Sequence, residues 1–369
     1  MNTISLCMIV KDEEKVLERC LNSVLELVDE IIIVDTGSRD NTKSIAKKYT
    51  DKIFDFQWID DFSRARNFSF SKATMDYIFW LDADDVLEEE DRVKFLKLKE
   101  ELDNTVDSVT MKYNLAFDEE GNLTFSLRRN RLVKRTNDFK WIGVVHEYLQ
   151  VWGNVQHSNV AVTHKSIHKS GDRNLKIYEK RLERGEEFSP RDLYYFGNEL
   201  LDHKFYERAA VFYKKFLSDG KGWVEDNIAC CRKLAYCYQY MNDSESEIQA
   251  ILRSFRYSSP RSEFCCWLGS YFLEKQDIMS AIFWYRLAIQ QKPDDTFINF
   301  YNPAFSTWLP HLQLCVCYDK IGADKLAYLH NEVALQYKPN DLNILKNQAY
   351  FYSILGKEII DELMSQIKG

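Results

Sequence analysis

DYIFWLDADD, residues 76–85, is the stretch on which the fold turns. A short bulky apolar run reads as a strand, and it stops at Asp82, Asp84 and Asp85. An Asp-x-Asp at a strand end suits an oxygen-seeking cation such as Mg2+ or Mn2+, which also takes diphosphate oxygens. The bland alternative is an acidic turn capping the next helix, VLEEEDRVKFL. Upstream, ISLCMIV (4–10), EIIIVD (30–35) and KIFDFQW (52–58) read as further strands. Between them, Val16, Leu17, Cys20, Leu21, Val24 and Leu27 share one helical face within residues 12–28. TGSRDNT opens a second helix carrying Ile45, Ala46 and Tyr49, with Asp40 or Asn41 as its cap, and DFSRARN reads as a loop entering a third. This alternation predicts a mostly parallel sheet covered by helices. Ligands of such sheets bind beyond the carboxyl ends of the strands, which is where Asp35 and residues 82–85 fall. SVTMKYNLAF, LTFSLRRNRLVK and NVAVTHK, within 105–165, add strands to the same domain.

The chain has 369 residues, enough for about two domains. It carries 57 acidic against 49 basic residues, a net charge of -8 that argues against a general nucleic-acid binder. The basic run RRNRLVKR (128–135) reads as an exposed strand face, with attraction of an acidic acceptor or of phosphates as its functional alternative. The nine cysteines lack zinc-site spacing and contain no C-x-x-C, so they read as reduced, mostly buried thiols of a cytoplasmic protein. MNTISLCMIVKDEEK does not read as a signal peptide, and no apolar run reaches the length of a membrane span.

From about residue 190 the pattern is helical. Gly197, Ala209 and Tyr213 recur as Gly269, Ala281 and Tyr285 at the same offsets, followed by Ala288 and Pro293. Ala327, Ala334 and Pro339 repeat the latter part, and Ala235, Tyr238, Ile251 and Pro260 fit a unit between the first two. Small residues let paired helices approach closely, and this pattern resembles the tetratricopeptide repeat. Four units are expected, or five with 342–366, with DTFINFYNPAFS as an insertion. The aromatic stripe of Tyr194, Tyr195, Phe196, Phe212, Tyr213, Trp284 and Tyr285 reads mostly as repeat core, partly as a peptide-binding surface.

SLCMIVKDEE, EIIIVDTGSRDNT, DFSRARN and LDADD, in this order and spacing, resemble the inverting glycosyltransferases of family two. The resemblance implies an α/β A-type nucleotide-sugar transferase domain at 1–170, a helical connector at 171–190 and an all-α tetratricopeptide-like domain at 191–369. Within the family the chain more closely resembles bacterial members with C-terminal repeats, which include enzymes that glycosylate bacteriocin peptides on cysteine or serine. By that resemblance Asp35 contacts the base or ribose, and Glu13, Arg66 and Asn67 line the nucleoside pocket. Asp82 lies near ribose and metal, and Asp84 is the main metal ligand. Most members carry glutamate where Asp85 stands, so Asp85 is assigned no necessary role. In WIGVVHEYL, Trp141, His146 and Glu147 match the place where acceptor meets donor sugar. Inversion needs a base there, and either Glu147 or His146 fits. A late histidine completes the metal site in this fold, which implies His164, with His168 as the alternative.

The expectation is a transferase dependent on Mg2+ or Mn2+. Its donor is a nucleotide-diphosphate sugar, UDP-glucose or UDP-N-acetylglucosamine. Its acceptor is a serine, threonine or cysteine side chain of a peptide or protein. The repeats would hold that acceptor or build a homodimer. The alternatives are an acceptor on a surface polysaccharide or lipid-linked sugar, and a scaffold whose transferase site has decayed.

Overall fold

The computed structural model describes residues 2–117, 121, 123–167, 171–291 and 302–368. The chain divides into two compact units, Met1–Glu187 and Phe188–Gly369. His168 and Pro293 lie outside the described residues, as does DTFINFY of the expected insertion.

The first unit is built on strands β1 (Ile4–Val10), β2 (Glu30–Asp35), β3 (Ile53–Asp55), β4 (Tyr77–Trp80), β5 (Asp85–Val86), β6 (Ser108–Phe117), β7 (Leu123–Lys134), β8 (Lys140–Ile142), β9 (Tyr148–Gln150) and β10 (Val155–His164). Eight of them form one sheet in the order β3-β2-β1-β4-β7-β6-β10-β5, while β8 and β9 form a separate hairpin. β3, β2, β1 and β4 are mutually parallel, as are β6 and β10; β7 and β5 run against their neighbours. The apolar runs are continuous because both faces are covered. Ile4, Leu6, Met8, Ile31, Ile33, Tyr77 and Phe79 face one core, shared with Leu17, Leu21, Phe95 and Leu98. Cys7, Ile32, Ile78 and Trp80 point the other way, against Phe139 and Trp141.

The helices are α1 (Leu17–Val24), α2 (Thr42–Ala46), α3 (Phe62–Phe70), α4 (Glu89–Glu101) and α5 (Arg173–Glu183). The first is shorter than the apolar spacing over 12–28 implies, because Asp12 sits at φ 55 and the chain turns before Leu17. DFSRARN proves already helical. Asp61 caps α3 by accepting from the Arg64 amide at 3.0 Å, so Arg66 and Asn67 ride on a rigid element.

The second unit contains α6 (Pro190–Asp202), α7 (Tyr206–Asp219), α8 (Val224–Tyr240), α9 (Ser244–Ser254), α10 (Ser262–Glu274), α11 (Ile278–Gln290), α12 (Trp308–Lys320), α13 (Asp324–Tyr337), α14 (Leu342–Leu355) and α15 (Lys357–Lys368). They pair in sequence order as helical hairpins. A Cβ on Gly197 would lie 2.6 Å from the Tyr213 ring, and one on Gly269 would lie 2.7 Å from the Tyr285 ring. The repeated Gly/Tyr offset is therefore a contact, in which a bare backbone lets the partner helix's ring seat against it. All nine cysteines are unpaired and buried. No helix among the described residues is long and apolar enough to cross a membrane.

Candidate functional site

The carboxyl ends of the parallel strands carry the candidate residues. Val10 pairs with Asp35 across β1 and β2, and Cys7 pairs with Trp80 across β1 and β4. Asp35 is buried, and its Oδ2 accepts from the amides of Gly37 and Ser38, both at 3.0 Å. Its Oδ1 is buried with no hydrogen-bond partner among the described residues, which leaves an acceptor available to a ligand. Half-buried Glu13 follows the end of β1. Its amide donates to Thr42 Oγ1 at 2.7 Å, and its carbonyl accepts from Val16 and Leu17 as α1 begins.

The metal candidates meet through strand register. The turn after β4 carries Asp82 and Asp84, and Asp85 then starts β5, which pairs antiparallel with β10 so that His164 stands opposite Asp85. His164 Nδ1 is 3.4 Å from Asp84 Oδ1, and Asp84, Asp85 and His164 offer ligand atoms within 4.8 Å of one another. Burial raises the pKa of Asp84, and Asp82 and Asp85 add to that against the pull of His164. His164 is also raised, first by its hydrogen bond to Asp85, against the cost of burial, and then by the charge of Asp84. The crowding of carboxylates thus favours the less negative form of each of these two groups. Carboxylate oxygen with imidazole nitrogen fits Mn2+ or Mg2+. Asp85 differs from the other two: it is fully buried and paired with Arg131 at 2.9 Å.

Beside this cluster Arg66 bridges two carboxylates. Its Nη2 donates to Asp82 at 2.7 Å and its Nε to Glu147 at 2.6 Å. The guanidinium lies 5.0 Å from the Trp80 ring centroid and 4.7 Å from that of Trp141. Burial pushes the Asp82 carboxyl up, but the charge of Arg66, with Arg131 behind it, outweighs this and brings it to about 2. Glu147 and His146 lie in the turn between β8 and β9, which is tied to α3 where the Phe62 amide donates to the Val144 carbonyl at 2.9 Å. His146 takes a left-handed conformation, φ 53.

Trp141 and Asn67 sit differently from a direct pocket lining. Trp141 is buried beneath Arg66, edge-on to Trp80 with ring centroids 4.7 Å apart. Asn67 holds the main chain of Trp141 through both amide atoms, at 3.0 and 2.9 Å. Both reach the site through Arg66 and the β8–β9 turn. The basic run is not a uniformly exposed face: Arg131 is fully buried, sandwiched between Trp80 (3.9 Å) and Tyr113 (4.3 Å). Reading the sequence misses Arg131, Tyr113 and the engagement of Asp85. The apolar pair Leu132 and Val133 directly after residue 131 was the one available signal.

A parallel sheet with an Asp-x-Asp turn and a returning histidine at its carboxyl edge is the A-type architecture of nucleotide-sugar transferases. Residues 5–182 match the family described as glycosyl transferase family 2, and helical hairpins of tetratricopeptide type follow. The chain is 40% identical over 147 residues to a TPR repeat-containing protein of Synechococcus elongatus, covering 40% of this chain and 35% of that protein. It is 29% identical over 261 residues to the prophage-derived glycosyltransferase SunS of Bacillus subtilis, covering 65% of this chain and 60% of that one. An uncharacterized glycosyltransferase of Rickettsia typhi is 34% identical over 98 residues, 26% of this chain and 33% of that one. The chain thus spans from about a third to three fifths of the length of these relatives.

Proposed function

We propose that the chain is an inverting glycosyltransferase that moves a sugar from a UDP-linked donor to a serine, threonine or cysteine side chain of a peptide or protein. The observation that carries this reading is the approach of Asp84 and His164 at the sheet edge, next to the Asp82–Arg66–Glu147 bridge. A divalent cation bound by Asp84 and His164 would neutralise charge on the departing diphosphate. Asp35 Oδ1 offers an acceptor to the base or ribose. Arg66 orients Glu147, and Glu147 or His146 takes the acceptor's proton as it attacks the anomeric carbon. The peptide acceptor is what the resemblance to repeat-bearing family members implies, and a stack of helical hairpins supplies the extended surface a peptide needs.

The test has two arms. UDP-glucose or UDP-N-acetylglucosamine incubated with the full chain and Mn2+ releases UDP slowly, and Asp84→Ala abolishes the release; equal turnover in that variant refutes the metal role. Candidate peptides then gain the mass of one sugar by intact-mass measurement. Labelling confined to a lipid-linked sugar or polysaccharide would reject the peptide acceptor and leave the transferase reading in place.

A further inference from the structure

Every basic side chain of RRNRLVKR but one has an acceptor. Arg128 donates to the Ser158 carbonyl at 2.7 Å, and Arg131 is paired with Asp85. Lys134 donates to the Asn104 carbonyl and Arg135 to that of Met75. Arg129 makes no hydrogen bond or ion pair among the described residues; its guanidinium lies 5.3 Å from the centroid of the Tyr113 ring.

Strand register brings this uncommitted guanidinium to the site. β4 pairs with β7 from Tyr77 opposite Lys134 to Phe79 opposite Leu132. Because β7 runs antiparallel to β4, Arg129 stands past the carboxyl end of β4, level with the turn that carries Asp82 and Asp84. The Tyr113 ring below it reaches the same place: its hydroxyl donates to Asp85 Oδ1 at 3.0 Å and lies 3.1 Å from His164 Nδ1. The charge of Arg129 also acts on Asp82, behind those of Arg66 and Arg131. Part of Arg129 stays open to solvent, yet loss of solvent around the rest, and then the charge of Arg131, push its pKa down. An anion set against it would relieve that crowding.

Three guanidiniums therefore gather here, and two are spent within the protein. Arg66 holds Asp82 and Glu147, and Arg131 holds Asp85. Only Arg129 among them has all its donors left for a ligand, in a planar fork that matches phosphate oxygens. Tyr113 ties it to the Asp84–His164 end of the site, where the diphosphate is proposed to lie.

We infer that Arg129 is a binding residue for the donor, its guanidinium donating from β7 to the phosphate oxygens of the nucleotide diphosphate. This rests on the proposal that a UDP-linked sugar binds at this edge of the sheet, and it gives the basic run a functional member.

The test is titration calorimetry of the full chain with three titrants: Mn2+ alone, uridine, and UDP in the presence of Mn2+. Arg129→Met keeps an unbranched stem against Tyr113 and removes the donors. It should weaken UDP about tenfold or more, as expected for hydrogen bonds to a charged group, and leave uridine and Mn2+ at their wild-type affinities. Arg129→Lys should recover part of the loss, because it restores the charge without the fork. Unchanged UDP affinity in Arg129→Met would overturn the inference and leave an acidic acceptor as the partner of this residue. An equal loss for uridine, or an equal loss for Mn2+ alone, would also overturn it, since Arg129 would then act on the fold or on the metal pair. Wild-type protein that binds UDP no more tightly than uridine would overturn it outright. Wild-type protein that binds no Mn2+ would instead overturn the metal reading, and UDP against uridine would still decide this one.

Discussion

Replacing Glu30 by glutamine should weaken the first unit at neutral pH and cost little in acid. Glu30 opens β2 with its side chain 2% exposed. Ser5 of β1 and Lys52 ahead of β3 donate to it. Ahead of β4, Thr74 donates twice, from its amide at 2.9 Å and its hydroxyl at 2.7 Å. One carboxylate thus ties together the amino ends of four parallel strands. Burial pushes its pKa up, but the bonds from Lys52, Ser5 and Thr74 outweigh this and bring it from 4.5 to about 2. At about 1.4 kcal/mol per pH unit this is worth about 3 kcal/mol, and about 2 kcal/mol once the screening of half-exposed Lys52 is allowed for. Because the folded value is the lower one, the stabilisation is complete above pH 4.5 and drains away as pH falls toward 2. The assay is equilibrium urea unfolding of the full chain at several pH values, read by limited-proteolysis mass spectrometry on peptides from β1 and β4, which reports the first unit apart from the repeats. Glu30→Gln should lose about 2–3 kcal/mol at pH 7, with the gap closing steadily below about pH 4. A gap that is the same at both ends of that range, or absent throughout, would refute the reasoning.

Gly197→Ala and Gly269→Ala should each destabilise the repeat unit, since forcing a Cβ against Tyr213 or Tyr285 costs about 1–3 kcal/mol and exceeds the ~1 kcal/mol of helix propensity gained; wild-type urea midpoints for the C-terminal peptides would contradict the packing account. Arg66→Met should lower UDP release about a hundredfold or more by leaving Asp82 and Glu147 without their shared cation. Arg66→Lys should recover only part of that, because an ammonium cannot span both carboxylates as the fork does; full recovery would show that charge alone suffices. Mn2+ affinity should rise as pH climbs past the ordinary imidazole value of 6.5, since the raised His164 must release its proton to bind; titration calorimetry showing a flat profile would refute this.

The parallel half of the sheet was legible because burial on both faces leaves continuous apolar runs, as in EIIIVD and YIFW. The repeats were legible because close helix packing demands glycine where a facing ring seats, and that demand recurs at a fixed offset. Asp84 was legible in the Asp-x-Asp at the strand end, and His164 was reached through family resemblance. What no local pattern carries is the register of β5 on β10, which brings residues 79 apart in sequence into one cluster. Arg131 was misjudged for the same reason. A lone arginine in a basic run reads as solvated unless its buried partner is known, and Asp85 lies on a strand too short to announce itself. The start of α3 was placed too late because its cap, Asp61, looked like one more loop carboxylate.

The most direct test of the account is anomalous diffraction from crystals of the full chain grown with Mn2+ and UDP. The account predicts a manganese peak within about 2.3 Å of an Asp84 oxygen and a His164 nitrogen, with the diphosphate oxygens completing its sphere. Manganese and UDP bound elsewhere, with that spot empty, would contradict it.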